Sequence, residues 1–454
     1  MSRIFPVVPK GTAPEVIYIP TTYFMEWRLE DMKKPCLFIM MLALLGLALA
    51  VPMAGVDQAQ AARLEDAIAA TPTGTEKGQI DPNAKPGFLG IPGAPDPNIV
   101  YGFLWAIWVG WIFSTVGAFG GIMAGVGHIT IFGLADYAKS FGKGTPLNKL
   151  ITDSIRVSNQ WLVGMSGLIS STNYYRMGRL VAPLGICLAI GGVGGSWLIP
   201  DLTAGKISLR DYIGYFGLIV LLLGVMLIRE TTAAGMARKK KAKEAAAAFE
   251  KQVKSGGATD DGVKILEGSW TLMGIALALV VSSALWANLV DGMRIVAYLL
   301  AVAGWAVTFF AGTIRFTFYG VEFAFKAFIP MLGGIFIAAL ASFLGIGGGF
   351  LFVPFLTSVA GLPMFLVAGT SALVVLVGMI VSIFSYMVGK GVPVYWGLIG
   401  AELVGIFVGS MIGPRTSKYI PDIWLKRLFV LLAFYVGIRY TTKGFLGYSI
   451  VPPF

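Results

Sequence analysis

Four groups of residues have types and spacings that could do chemistry. The first is Gly345-Ile346-Gly347-Gly348-Gly349, followed by Pro354. A glycine inside a helix costs up to about 1 kcal/mol relative to alanine, so this run reads as unwound backbone. In lipid such backbone persists only where it is buried in protein or lines a cavity. Unobstructed N–H groups ahead of a helix starting near Phe350 suit an anion; simple close packing of helices is the alternative. The second group is Asp153-Ser154-Ile155-Arg156-Val157-Ser158-Asn159-Gln160, a polar start to an apolar helix. Arg156 offers bidentate donors to an oxyanion, and Ser158, Asn159 and Gln160 add neutral donors. An interfacial Asp153–Arg156 pair is the alternative. The third is His128, the single histidine, suited to ligand binding or proton carriage and equally to a packed, hydrogen-bonded role. The fourth is Glu402, a carboxylate in the middle of Gly400-Ala401-Glu402-Leu403-Val404. At that depth a carboxylate is unfavourable and by default functional, as the carrier of a coupling proton; a structural hydrogen bond is the alternative. Glu322 and Lys326, four apart, read as a surface pair on one helical face.

The elements that position these residues follow from composition. Of 454 residues 56% are hydrophobic and 13% charged, with a mean hydropathy of +0.77. Too few charges are present to cover a soluble surface, and apolar runs of membrane length recur along the chain. The 59 glycines suit closely packed membrane helices. The net charge of +11 falls mainly in loops, which reads as positive-inside anchoring and not as a nucleic-acid surface. Cys36 and Cys187 make neither a disulfide framework nor a metal site, and one histidine argues against a paired-histidine haem. No cofactor is called for, and no catalytic triad stands out.

Residues 1–31 are polar, with an interfacial helix at Met25–Glu30. Met32-Lys33-Lys34, the apolar stretch to Ala54 and Ala59-Gln60-Ala61 have the order of a signal peptide, read here as an uncleaved anchor over 32–54. Residues 55–98 read as an irregular extracytoplasmic loop. Apolar segments follow at 99–136, 155–172, 180–200 and 212–229, then at 269–289, 292–312, 328–356, 364–388, 394–413 and 424–443. Between the sets, Arg238-Lys239-Lys240-Lys241 and Lys243 mark a cytoplasmic loop, 230–266, with a short surface helix over 242–254.

The chain repeats itself. Leu162-Val163-Gly164-Met165 recurs 214 residues later as Leu376-Val377-Gly378-Met379, and the same offset pairs Gly191 with Gly405 and Gly195-Ser196 with Gly409-Ser410. Upstream, Gly125-Val126-Gly127-His128 aligns with Gly345-Ile346-Gly347-Gly348 at an offset of 220. Loop charges place the two copies, 99–229 and 315–454, in opposite orientations, with 267–314 as an added helix pair. The fold class is therefore an all-α, multi-pass protein of the cytoplasmic membrane: an inverted repeat with broken glycine-motif helices, a transporter architecture. Lys139, Lys143 and Lys149 would then lie outside, against the charge rule.

On Gly345–Pro354, the following Ala368-Gly369-Thr370-Ser371 and the weaker copy at Gly125–Phe132, the chain resembles the sulfite exporter TauE/SafE family over about residues 100–445. The resemblance implies transport of sulfur oxyanions or organosulfonates. It adds Thr370 and Ser371 to Gly125, Gly127, Gly345, Gly347, Gly348 and Gly349 as substrate contacts. It leaves the first 98 residues and the spans at 269–312 unexplained. A membrane redox or enzyme subunit and a passive anion channel are the competing classes. The partners expected are a small anion and the lipid bilayer.

Overall fold

The computed structural model describes residues 53–142, 144–203, 209–232, 240–255, 262–290, 292–344 and 349–451, all within one compact unit, Ala48–Phe454. The interfacial helix and the anchor expected before residue 53 lie outside the described residues, as do Gly345, Gly347 and Gly348.

Where residues 55–98 read as an irregular loop, α1 (Met53–Ala69) forms instead. Its buried positions are Gln60, Ala67 and, in part, Arg63, Leu64 and Ile68, a helical face. The turns after it contribute Ile80, Phe88 and Ile91 to a core shared with Leu134, Leu147, Leu150 and Ile151. No long apolar run advertises this cap, because its few apolar residues are spaced among prolines and glycines.

The apolar segment 99–136 divides into α2 (Ile99–Val116), α3 (Gly120–Val126) running into a π-turn at Gly127–Ile131, and α4 (Leu134–Ser140). The side chain of Asn98 starts α2 by accepting from the N–H groups of Val100 and Tyr101 at 3.0 and 3.1 Å. Gly117 (φ 72°) stops it in the left-handed region, and Phe119 (φ 66°) holds the same conformation without glycine's freedom. The helix break therefore lies at Gly117–Phe119 and not at Gly125–Gly127, which sit in a right-handed helix and its π-turn. Next come α5 (Pro146–Arg176), capped by Thr145, α6 (Ala182–Thr203) and α7 (Leu209–Thr231).

The connecting region holds α8 (Lys240–Lys254), β1 (Lys264–Glu267), α9 (Trp270–Leu289), α10 (Arg294–Phe310), β2 (Thr313–Phe318) and β3 (Val321–Lys326). The strands form one antiparallel sheet in the order β1-β2-β3. Glu322 and Lys326 are thus on a strand and not on one helical face. Glu322 Oε1 accepts from Arg315 Nε across the hairpin at 2.7 Å. The alternation in Thr313-Ile314-Arg315-Phe316-Thr317-Phe318, followed by Tyr319-Gly320 with both φ positive, is the strand-and-turn signal.

The last set is α11 (Phe328–Leu344), α12 (Gly349–Pro354) with a π-turn at Phe355–Val359, α13 (Met364–Phe384) with a π-turn at Ser385–Gly389, α14 (Trp396–Ser417) and α15 (Asp422–Phe445). Its bounds echo the first set. Adding 214 to the limits of α6 gives those of α14, and adding it to α7 gives α15 to within a residue. Upstream the offset is 228: it takes α2 to α11, the first π-turn to Phe355–Val359, and Gly133 (φ 66°) to Gly361 (φ 67°). This register sets Gly117-Ala118-Phe119-Gly120-Gly121, not Gly125–Gly127, opposite Gly345–Gly349. The two offsets differ because α4 and its flanking turns have no counterpart in the second set.

Packing follows a crossed pattern. α2 lies beside α14 and α6 beside α11, each pair parallel: Gly110 meets Ile406 and Ser410, and Gly195 meets Ile335 and Ala338. α5 lies antiparallel to α13, with Gly164 against Met379 and Ile383 and Gly167 against Ala372 and Leu376. α7 is antiparallel to α15, with Gly214 on Phe445 and Gly224 on Phe434. Among the described residues, Ile99–Val116, Trp270–Leu289, Met364–Gly389 and Trp396–Ser417 are long and apolar enough to cross a membrane.

Candidate functional site

The first π-turn is pinned by Trp105 of α2. Its indole Nε1 donates to Met123 O at 2.9 Å, and its ring lies 2.7 Å from where a Cβ on Gly127 would be. Only glycine permits that approach. A π-turn fits an extra residue into the helix and re-aims the side chains around it. His128 is the one re-aimed here. Its Nδ1 lies 2.6 Å from Asn159 Oδ1 of α5, and its Nε2 lies 2.9 Å from Glu402 Oε2 of α14. The His128 and Glu402 side chains are each 1% exposed. Gly102 of α2 makes room for Glu402, since a Cβ there would stand 2.8 Å from Leu398 Cδ1 and 3.3 Å from Glu402 Cγ.

The roles follow from the donors. Asn159 Oδ1 only accepts, so His128 Nδ1 carries a hydrogen and donates it. One proton then remains between Nε2 and Oε2. Held by nitrogen it gives an imidazolium–carboxylate pair; held by oxygen it gives two neutral groups. The pair is net neutral either way, and a further proton makes it cationic. A buried carboxylate and imidazole satisfy each other in this way without a third charge.

The neighbours of Asn159 have capacity to spare. Ser158 Oγ and Gln160 Oε1 are buried and have no hydrogen-bond partner among the described residues. One turn back, Arg156 Nη1 lies 3.2 Å from Asp153 Oδ1 and donates to Tyr386 OH at 2.9 Å. Its side chain is 41% exposed. Thr370 and Ser371 do not join this cluster. Thr370 Oγ1 accepts from Val181 N at 3.1 Å, and Ser371 Oγ donates to Gly117 O, 2.9 Å away. Their helix α13 meets α5 near Gly167, about 12 Å of helix rise from Asn159. Gly125 is buried inside α3, and Gly349 opens α12. The two glycine regions do approach each other, since Phe119 stacks on Phe350 at 6.0 Å between centroids.

Arg179 is a residue that did not stand out in the sequence. It is 1% exposed, donates to Phe365 O, Pro414 O and Ser417 Oγ at 3.2 to 3.4 Å, and lies among the rings of Tyr174, Phe249 and Phe365. Nothing in the short turn Met177-Gly178-Arg179 announces burial. The shallow groove lined by Tyr101, Leu104, Trp105, Trp108 and Ile131 is mostly apolar and open, and its lining holds no charged group for an anion. Among the described residues no three His, Cys, Asp or Glu side chains converge as a metal site would require.

Residues 257–440 match the model of the family described as sulfite exporter TauE/SafE. This is less than half of the chain. The matched stretch contains Thr370, Ser371 and Glu402, and also the helix pair at 269–312 that the sequence resemblance left unexplained. It leaves out His128 and Asp153–Gln160. No curated protein and no solved structure gives a significant match.

Proposed function

We propose that the chain is a secondary transporter that moves a small sulfur-containing anion, such as sulfite, thiosulfate or an organosulfonate, across the cytoplasmic membrane, exchanging a proton at His128–Glu402. The substrate class is supported by the family match over 257–440. The observation that carries the transport reading is the crossed packing. Helices equivalent in order, α5 with α13 and α7 with α15, lie antiparallel to each other, as the halves of an inverted repeat must. The His128–Glu402 pair is asymmetric within that frame, because the 214-residue offset puts Leu188 opposite Glu402. Each half contributes one member of the pair, and the equivalent positions in the other half, Leu356 for His128 and Leu188 for Glu402, are apolar.

The basic α8 marks the cytoplasmic face, and α1 with its turns lies at the opposite ends of α5 and α13. In a Cys36→Ser background, where the remaining Cys187 is buried, a cysteine introduced at exposed Glu76 is labelled from the extracytoplasmic side and one at exposed Lys251 from the cytoplasmic side. Labelling of both from one side contradicts this topology.

Anion recognition is tested by calorimetric titration of sulfite, thiosulfate, sulfate and simple sulfonates into the purified chain. Saturable binding of at least one is expected. Arg156→Gln then weakens it by very roughly tenfold to a hundredfold, the worth of a charge-assisted hydrogen bond of about 1.5–3 kcal/mol. Unchanged binding assigns Arg156 to its pair with Asp153 alone. If none of the anions binds, the sulfur-anion reading fails.

A further inference from the structure

The cap formed after residue 53 has no place in the transport scheme above, yet it brings chemistry to the end of α5. Gln60 and Arg63 lie one turn apart on the buried face of α1. Arg63 donates to the carbonyl oxygen of Lys390, at the end of the second set's π-turn, and its Nη2 lies 3.5 Å from Asp153 Oδ2. The other oxygen of the same carboxylate pairs with Arg156 at 3.2 Å. Arg156 also donates to Tyr386 OH, and Lys390 Nζ stands 4.3 Å over the Tyr386 ring. Three cations from three separate elements thus gather around one carboxylate and one phenol, an excess of positive charge in a partly buried space. Gln60 is 6% exposed, and its Nε2 donor has no partner among the described residues. An orphaned buried donor one helical turn from Arg63, which itself joins this cationic cluster, is the complement of a small oxyanion.

From this juxtaposition we infer an outer anion site, formed by Gln60, Arg63, Arg156 and Lys390, that captures a small oxyanion where the cap meets α5 and α13. The two guanidinium groups supply planar forks, Lys390 a point charge and Gln60 a neutral donor. Asp153 holds both arginines in place and is the group an incoming anion competes with. The cap is therefore part of substrate recognition, and the site lies one helical turn outward of Asn159 and its buried neighbours. The ligand class and the outward assignment of this face rest on the transport reading; the site itself does not.

Its test uses the full chain. Calorimetric titration with sodium sulfite and sodium sulfate is compared between wild type, Lys390→Gln, Arg63→Gln/Lys390→Gln and Gln60→Leu. The double variant is expected to bind at least tenfold more weakly, Lys390→Gln several-fold and Gln60→Leu about threefold. In proteoliposomes the KM for sulfite added on the cap side rises to match, while the KM from the opposite side and kcat hold. Lys390 is exposed, so its variant reports even if the double variant does not fold. Unchanged affinity and unchanged cap-side KM in Lys390→Gln and Gln60→Leu overturn the site, as does a wild type that binds neither anion. A wild type that binds sulfate through these residues but moves no anion leaves the site standing and removes the transport reading.

Discussion

Glu402→Gln abolishes the pH-gradient-driven component of anion flux, by at least tenfold, while leaving anion affinity largely intact. Glutamine keeps the shape and can still hydrogen-bond His128 Nε2, 2.9 Å away in the native pair, but it cannot take up or release the proton that the pair shares. The charge states set the coupling: an extra proton turns a neutral buried pair into a cationic one, and that charge must be discharged before the cycle returns. Because His128 and Glu402 act as one unit, a His128→Gln/Glu402→Gln double variant loses no more than either single one. The measurement is flux in liposomes with and without an imposed gradient. An equal gradient-driven rate in wild type and Glu402→Gln makes Glu402 a structural hydrogen-bonding residue, and a wild type indifferent to the gradient favours a channel or uniporter.

Gly409→Leu prevents stable folding. A Cβ at Gly409 would press on the backbone of α2, at Ile107 O and at Trp111 N, the latter 2.8 Å away, and backbone within a packed helix cannot swing aside as a side chain can. Gly405, Gly409 and Gly413 repeat every fourth residue along this seam, the small-residue spacing that lets membrane helices approach closely. Overpacking of this kind costs on the order of 3 kcal/mol. The matching seam adds a second expectation: Gly191→Leu, where a Cβ would press on the α11 backbone at Met331 O and at Ile335 N, the latter 2.8 Å away, does comparable damage. The readout is the monodisperse fraction and the thermal midpoint in detergent. A Gly409→Leu protein that melts with the wild type removes the close α2–α14 contact.

The part of this fold legible in the sequence is the part governed by local pattern. The gap-free register of Gly191 with Gly405 and Gly195 with Gly409 was readable because both seams need small residues at the same spacing. The upstream register was not, because glycine pairs in apolar sequence fit several alignments and α4 shifts the count. The cap escaped because its core is built from isolated residues such as Ile80, Phe88 and Ile91, which acquire meaning only against α4 and α5. The hairpin was mistaken for helix because Glu322 and Lys326 also fit a four-residue spacing, and the Phe316/Phe318 alternation decides against it.

For the site, residue type was informative and partnership was not. His128, Asn159 and Glu402 each stood out as polar groups in apolar surroundings, but the His128–Glu402 contact joins positions 274 residues apart. Only the meeting of the first π-turn with α5 and α14 brings them together. Thr370 and Ser371 entered through the family resemblance and not through their surroundings, and their hydroxyls bond the backbone at Val181 and Gly117. Arg179 and Gln60 carried no signal at all, since their burial depends on neighbours supplied by distant elements.

The central claim is that this chain itself moves a sulfur-containing anion across a bilayer. Counterflow tests it most directly: purified protein is placed in liposomes preloaded with unlabelled sulfite or thiosulfate, and uptake of the radiolabelled anion is followed at zero net gradient. The account predicts transient, saturable accumulation that requires the internal anion and is absent from protein-free liposomes. Uptake no faster than in those liposomes, for every sulfur anion that binds in titration, would contradict it.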